Sequence, residues 1–213
     1  MSERPLFERL VHDLKGPLSP LQTAAYLLRR PELPEERRVE LAETIERQSR
    51  RMAGMIEELG DWVRAQEGRL VHRLRPVEVQ MLLDLAVGGV PGCATEPQLA
   101  PELDGAHVEG DEARLVQALG SLLAFAQSRA GTAAPGLHAW RDGAQVLIEV
   151  SDGGESPDNA AALLVDPLPE PFDLGLGLRL VVAGAIARAH GGMLDAHALA
   201  PGLAFRLALP LAA

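Results

Sequence analysis

His12–Asp13–Leu14–Lys15–Gly16–Pro17–Leu18, close to the start of the chain, is the stretch on which the reading of the fold turns. Around it Phe7, Leu10, Leu14, Leu18, Leu21, Ala25 and Leu28 recur at alternating steps of three and four, which predicts an amphipathic helix. With Leu14 at the centre of the apolar stripe, 100° per residue carries His12 about 160° around the helix, onto the wet face. An exposed imidazole beside Asp13, with Lys15 on the following turn, is chemically useful. The carboxylate can orient the ring, take its proton and raise its nucleophilicity. A surface histidine among unrelated charges would look similar, so Pro17 carries weight: it removes a backbone hydrogen bond that a purely structural helix would keep.

A second seam follows in Leu41, Ile45, Gln48, Met52, Met55, Leu59 and Trp62. The stretch Arg30 to Glu36 between the seams holds two prolines and acidic residues suited to starting a helix. Two apolar stripes on one hairpin ask for further helices to cover them, so two copies of the chain are expected to form a four-helix bundle.

Beyond Gly68 the texture changes. Strand-like runs fall at about Gly136 to Arg141, Gln145 to Ser151, Met193 to Leu199 and Leu203 to Leu209, with Trp140 to Ala144 as a hairpin turn. Helical patterns fall at about Val77 to Val87, Glu112 to Arg129 and Leu176 to Ala189, and Val90 to Gly105 reads as loop or weak edge strand. The expected architecture is an antiparallel helical hairpin over residues 1–68, followed over 69–213 by an α+β sandwich with helices on one face of its sheet.

His12 to Leu18 resembles the phospho-acceptor box of dimeric sensor histidine kinases, and the resemblance extends through nearly the whole chain. Gly110 to Ala126 resembles the family's asparagine-box helix, Val150 to Pro157 its first glycine box, and Leu174 to Leu178 with the helix ending at His190 its second. The resemblance implies a histidine-kinase type of ATP domain in the second half. It implies His12 as phosphoacceptor, Asp13 as acid–base partner and Lys15 as a positive residue near the phosphoryl group. A nucleotide site would fall on Asp152, Gly154, Gly175 and Gly177, with Asp152 reading the adenine amino group.

Departures from the pattern cut against that nucleotide site. The family's two metal-reaching asparagines are replaced by Ser121 and Phe125, a glycine by Ser156, and the box residue after Lys15 is Gly16. Magnesium needs hard oxygen ligands, which phenylalanine lacks. The segment between the glycine boxes is short and stiffened by Pro157, Pro167, Pro169 and Pro171. The implied cofactor reading is therefore none, with ATP and magnesium not used efficiently. The implied activity is histidine phosphotransfer to and from the aspartates of response-regulator receiver domains, with a hybrid histidine kinase as a further partner. Two alternatives stay open: an ATP-dependent histidine kinase with a divergent site, and a non-catalytic scaffold.

Composition narrows the remaining classes. Thirty acidic against twenty basic residues give a net charge of −10, against a nucleic-acid footprint or an anionic membrane surface. Cys93 stands alone, so no intrachain disulfide forms and a reducing, cytoplasmic setting is expected. No leader or sensor domain is expected upstream of the motif, and no apolar run approaches the ~20 residues that span a bilayer. His72, His107, His138 and His197 show no metal-ligand spacing, and His190 reads as structural.

Overall fold

The computed structural model describes residues 3–131 and 133–212; the side chain of Phe7, first in the expected seam, lies outside them. The chain divides into two compact units, one of residues up to Gly60 with Asp173–Leu176, the other of Asp61–Phe172 with the remainder from Gly177.

The first unit is a helical hairpin: α1 (Glu3–Lys15), α2 (Leu18–Leu27) and the greater part of α3 (Glu35–Gln66). One helix was expected through Leu28, and the structure divides it at Gly16–Pro17. Proline has no N–H to offer the Asp13 carbonyl, and the Gly16 amide donates to it instead at 3.1 Å, a tighter turn. Pro17, at φ −65° and ψ −23°, then starts α2, with its carbonyl accepting from the Leu21 amide at 3.3 Å. The break rephases the stripe: Ala24 is buried where Ala25 was expected. Leu10, Ala24, Leu41 and Met55 are buried, while Leu14, Leu21, Ile45, Met52 and Leu59 are only half-buried in the single chain.

In the second unit a five-stranded sheet runs in the order β2 (Gln98–Leu99), β4 (Gly136–Asp142), β5 (Gln145–Asp152), β7 (Gly202–Pro210), β6 (Met193–Leu199). Only the β2–β4 pair is parallel. Alternation sends Leu137 and Ala139, then Val146, Ile148 and Val150, then Leu203, Phe205, Leu207 and Leu209 into the core. There they meet the apolar faces of α5 (Glu112–Arg129) and α6 (Arg179–Ala189), and α4 (Val79–Gly88) packs against α5. A separate two-stranded ladder joins β1 (Arg75–Glu78) to β3 (His107–Gly110). That ladder takes the first two residues of the helix expected from Val77. The hairpin turn narrows to Gly143–Ala144, because Asp142 already pairs with Gln145. The last helix starts at Arg179 rather than Leu176, since Gly177 sits at φ +77°, outside helical geometry.

Two polar devices hold these elements. His190 Nε2 accepts from the Asp111 amide at 3.0 Å, and its Nδ1 lies 2.8 Å from the Ile186 carbonyl. An amide only donates and a carbonyl only accepts, so the ring is the Nδ1–H tautomer, tying the end of α6 to the start of α5. Asp61, buried near the end of α3, accepts from Arg64 at 2.5 Å and from Arg114 and Gln117 of α5 at 2.7 and 2.5 Å. Burial pushes its carboxyl up, but the three donors together hold it below the ordinary 3.8. A depressed carboxylate contributes stability that is present above its unfolded pKa and is lost as pH falls through the folded value. Urea midpoints at pH 5 and pH 3 should therefore converge in Asp61→Asn relative to the unsubstituted protein. An unchanged pH difference would show that Asp61 carries no such linkage.

Candidate functional site

The break at Gly16–Pro17 leaves His12 on the last turn of α1, with its ring 88% exposed and Asp13 two-thirds covered. His12 Nδ1 lies 3.2 Å from Asp13 Oδ1. An ionised carboxylate can only accept, so this contact asks for the proton on Nδ1 and turns the Nε2 lone pair outward. Lys15 is exposed three residues on, where side chains on a helix are neighbours and a cation complements the C-terminal dipole. His12, Asp13 and Lys15 are thus brought together on one turn. The arrangement can present a neutral imidazole nitrogen to an electrophile in solvent, with a carboxylate steadying the ring and a cation close by.

The other expected residues divide between the units. Gly175 falls with the hairpin, where its amide donates to Asp173 at 3.0 Å and the next amide, of Leu176, donates to Glu58 of α3 at 2.7 Å. Asp152, Gly154 and Gly177 fall in the second unit. Asp152 ends β5 with a side chain 1% exposed. Its Oδ1 accepts from the Gly154 amide at 2.9 Å and its Oδ2 from Arg129 Nε at 2.9 Å. Arg129 also donates to the Glu155 carbonyl, and its guanidinium lies 5.6 Å over the Phe125 ring. A Cβ on Gly154 would come within 2.8 Å of the Arg129 carbonyl oxygen, and one on Gly177 would collide with the Leu168 backbone. Close backbone approach therefore accounts for both glycines. The sequence signal that points to a buried partner such as Arg129 is Asp152 itself, which extends the inward alternation Val146, Ile148, Val150.

The two positions at which the resemblance places metal-reaching asparagines hold Ser121 and Phe125. The Ser121 hydroxyl donates to the Gln117 carbonyl of its own helix at 2.8 Å. Phe125 offers no ligand atom, and packs edge-on against Phe172 at 5.4 Å and Phe205 at 5.7 Å. Among the described residues no group of three or more His, Cys, Asp or Glu could hold a metal ion. None of the described helices is long and apolar enough to cross a membrane.

The His Kinase A (phospho-acceptor) domain family matches residues 3–68. The signal transduction histidine-protein kinase/phosphatase MprB of Mycolicibacterium paratuberculosis is 27% identical over 90% of this chain and 39% of its own length. The sensor histidine kinase TrcS of Mycobacterium tuberculosis is 30% identical over 94% of this chain and 42% of its own. The chain thus spans about two fifths of these relatives. Among solved structures, the histidine kinase AdeS of Acinetobacter baumannii superposes with a TM-score of 0.70 at 17% identity, covering 93% of this chain and 97% of AdeS. ShkA, solved with AMPPNP, gives 0.68 at 24% identity, covering 100% of this chain and 46% of its own. These two establish the fold: a helical hairpin followed by a histidine-kinase type of α/β domain.

Proposed function

We propose that this chain, whose residues 3–68 match the His Kinase A (phospho-acceptor) domain family, is a histidine phosphotransferase of a two-component phosphorelay. The observation that carries the reading is a contrast. His12 is open and oriented by Asp13, whereas the positions that would take magnesium and phosphate hold a self-bonded serine and a packed phenylalanine.

In the proposed step, His12 Nε2 attacks the phosphorus of a receiver's aspartyl phosphate. The N–P bond forms, the P–O bond breaks, and the receiver carboxylate leaves with the electron pair. The Nδ1 proton stays on the ring, held by Asp13. Phosphoryl transfer passes through a loose transition state in which the protein's task is positioning and charge, and Lys15 offers charge to the phosphoryl oxygens. Reversal delivers the group to a second receiver. Receiver domains, and a hybrid histidine kinase carrying one, are the proposed partners, in the cytoplasm. Neither nucleic acid nor membrane is among them.

A homodimer belongs to the same reading. The half-buried seam of Leu14, Leu21, Ile45, Met52 and Leu59 continues in exposed Val11, Leu18, Val39 and Ile56, an apolar stripe that a second hairpin would cover. Light scattering at micromolar concentration should return the mass of two chains; a strict monomer would refute the bundle.

The relatives' names favour a second reading, ATP-dependent autophosphorylation of His12. Two incubations separate them. Labelled Mg–ATP should leave the purified protein unlabelled, and a panel of labelled phospho-receivers should pass label to it. Label from ATP, absent in His12→Ala, makes the protein a kinase. No label from any receiver, on folded protein, removes the phosphotransfer reading.

A further inference from the structure

The inward alternation of β5 ends on a carboxylate, and that is an unusual place for one. A buried charge is tolerated when paired and hydrogen-bonded. Both Asp152 oxygens are engaged, one by the Gly154 amide and the other by Arg129. Arg129 is held at three points: by Asp152, by the Glu155 carbonyl and by the face of Phe125. Phe125 is fixed in turn between Phe172 and Phe205. At the last turn of α5 the guanidinium also complements the helix dipole.

A buried carboxylate acceptor beside an apolar ring is a site for a flat, nitrogen-rich group that donates in its own plane. Adenine is such a group, through its exocyclic amine. The guanidinium is another, planar, donating along its edge and stacking through its face. We infer that Arg129 occupies, from within the chain, the place an adenine base would take at Asp152. The domain is closed to adenine nucleotides by a competing side chain, while the acceptor itself is retained. This rests on the proposed ATP-independent function and supplies its structural cause at the base-binding end.

The test uses the full chain and adenosine, with no metal or phosphate, so that the missing metal-reaching side chains at positions 121 and 125 do not enter. Inosine, which carries an oxo group in place of the amine, is the control. Arg129→Met keeps an apolar stem over Phe125 and frees Asp152. Arg129→Lys keeps a charge but loses the plane, and serves if the first variant is unstable. Calorimetric titration should show adenosine bound at least about tenfold more tightly by R129M than by the unsubstituted protein, with a smaller gain in R129K. Inosine should gain nothing. Adenosine should also raise the melting temperature of R129M and leave that of the unsubstituted protein unmoved.

Equal adenosine affinity in the unsubstituted protein and in either folded variant overturns the inference, as does an equal gain for inosine. That result leaves phosphotransfer standing. Labelling of His12 by Mg–ATP in the unsubstituted protein is the separate failure, of the function itself.

Discussion

Glutamine at His12 is expected to abolish phosphoryl uptake from a labelled receiver, by at least about 10³-fold, because removing the attacking atom leaves no covalent route. The ring is 88% exposed and its polar contact is to its neighbour Asp13, so the fold should not notice. Melting should stay within about 0.5 kcal/mol of the unsubstituted protein, as for other surface changes. Asp13→Asn gives the graded companion. Asparagine can meet the ring with either its carbonyl or its NH2 and so holds the proton on Nδ1 less firmly than a carboxylate, and transfer should slow by about 10²-fold and remain measurable. Rapid-quench transfer assays read both variants. Full transfer through His12→Gln would place the phosphoacceptor elsewhere and end the assignment.

At the opposite extreme of burial, Phe205→Ala is expected to be the most destabilising single change in the second unit. Phe205 lies on β7 with 0% exposure and meets the Phe125 ring at 5.7 Å and 73°. Truncating a buried phenylalanine costs about 3–5 kcal/mol, from lost transfer energy and the cavity left behind. Folded domains hold only about 5–15 kcal/mol in total. At urea slopes of about 1–3 kcal/mol/M, the midpoint should fall by more than about 1 M. A loss below about 1 kcal/mol would mean that the neighbouring rings collapse into the space. It would also show that the aromatic cluster is looser than its geometry implies.

The sheet and its helices were legible because their core positions repeat. Val146, Ile148 and Val150 announce period two, and Leu115, Leu119 and Leu122 announce a helix. The β1–β3 ladder had no such signal. It is four residues a side, its apolar members are Val77 and Val108, and its partners lie some thirty residues apart. Pro17 showed that the first helix was disturbed but not whether it kinks or stops; the Gly16 amide turning to Asp13 decides that, and no residue pattern encodes it. In the site, His12 and its neighbours could be read because one helical turn gathers them. Arg129 and Asp152 are joined across 23 residues by folding. The clue lay in an acidic residue continuing a core-facing alternation.

The turn at Gly16–Pro17 also bears on how such a protein can change over generations. An unbroken helix transmits any twist from one end to the other, so new side chains along residues 18–27 would swing the imidazole off its line. With the Asp13 carbonyl taken by Gly16 and no amide on Pro17, rotation on one side of the turn is largely absorbed there. A lineage can thus rewrite the residues of α2 while the orientation of the His12 ring, on the far side of the turn, is inherited intact.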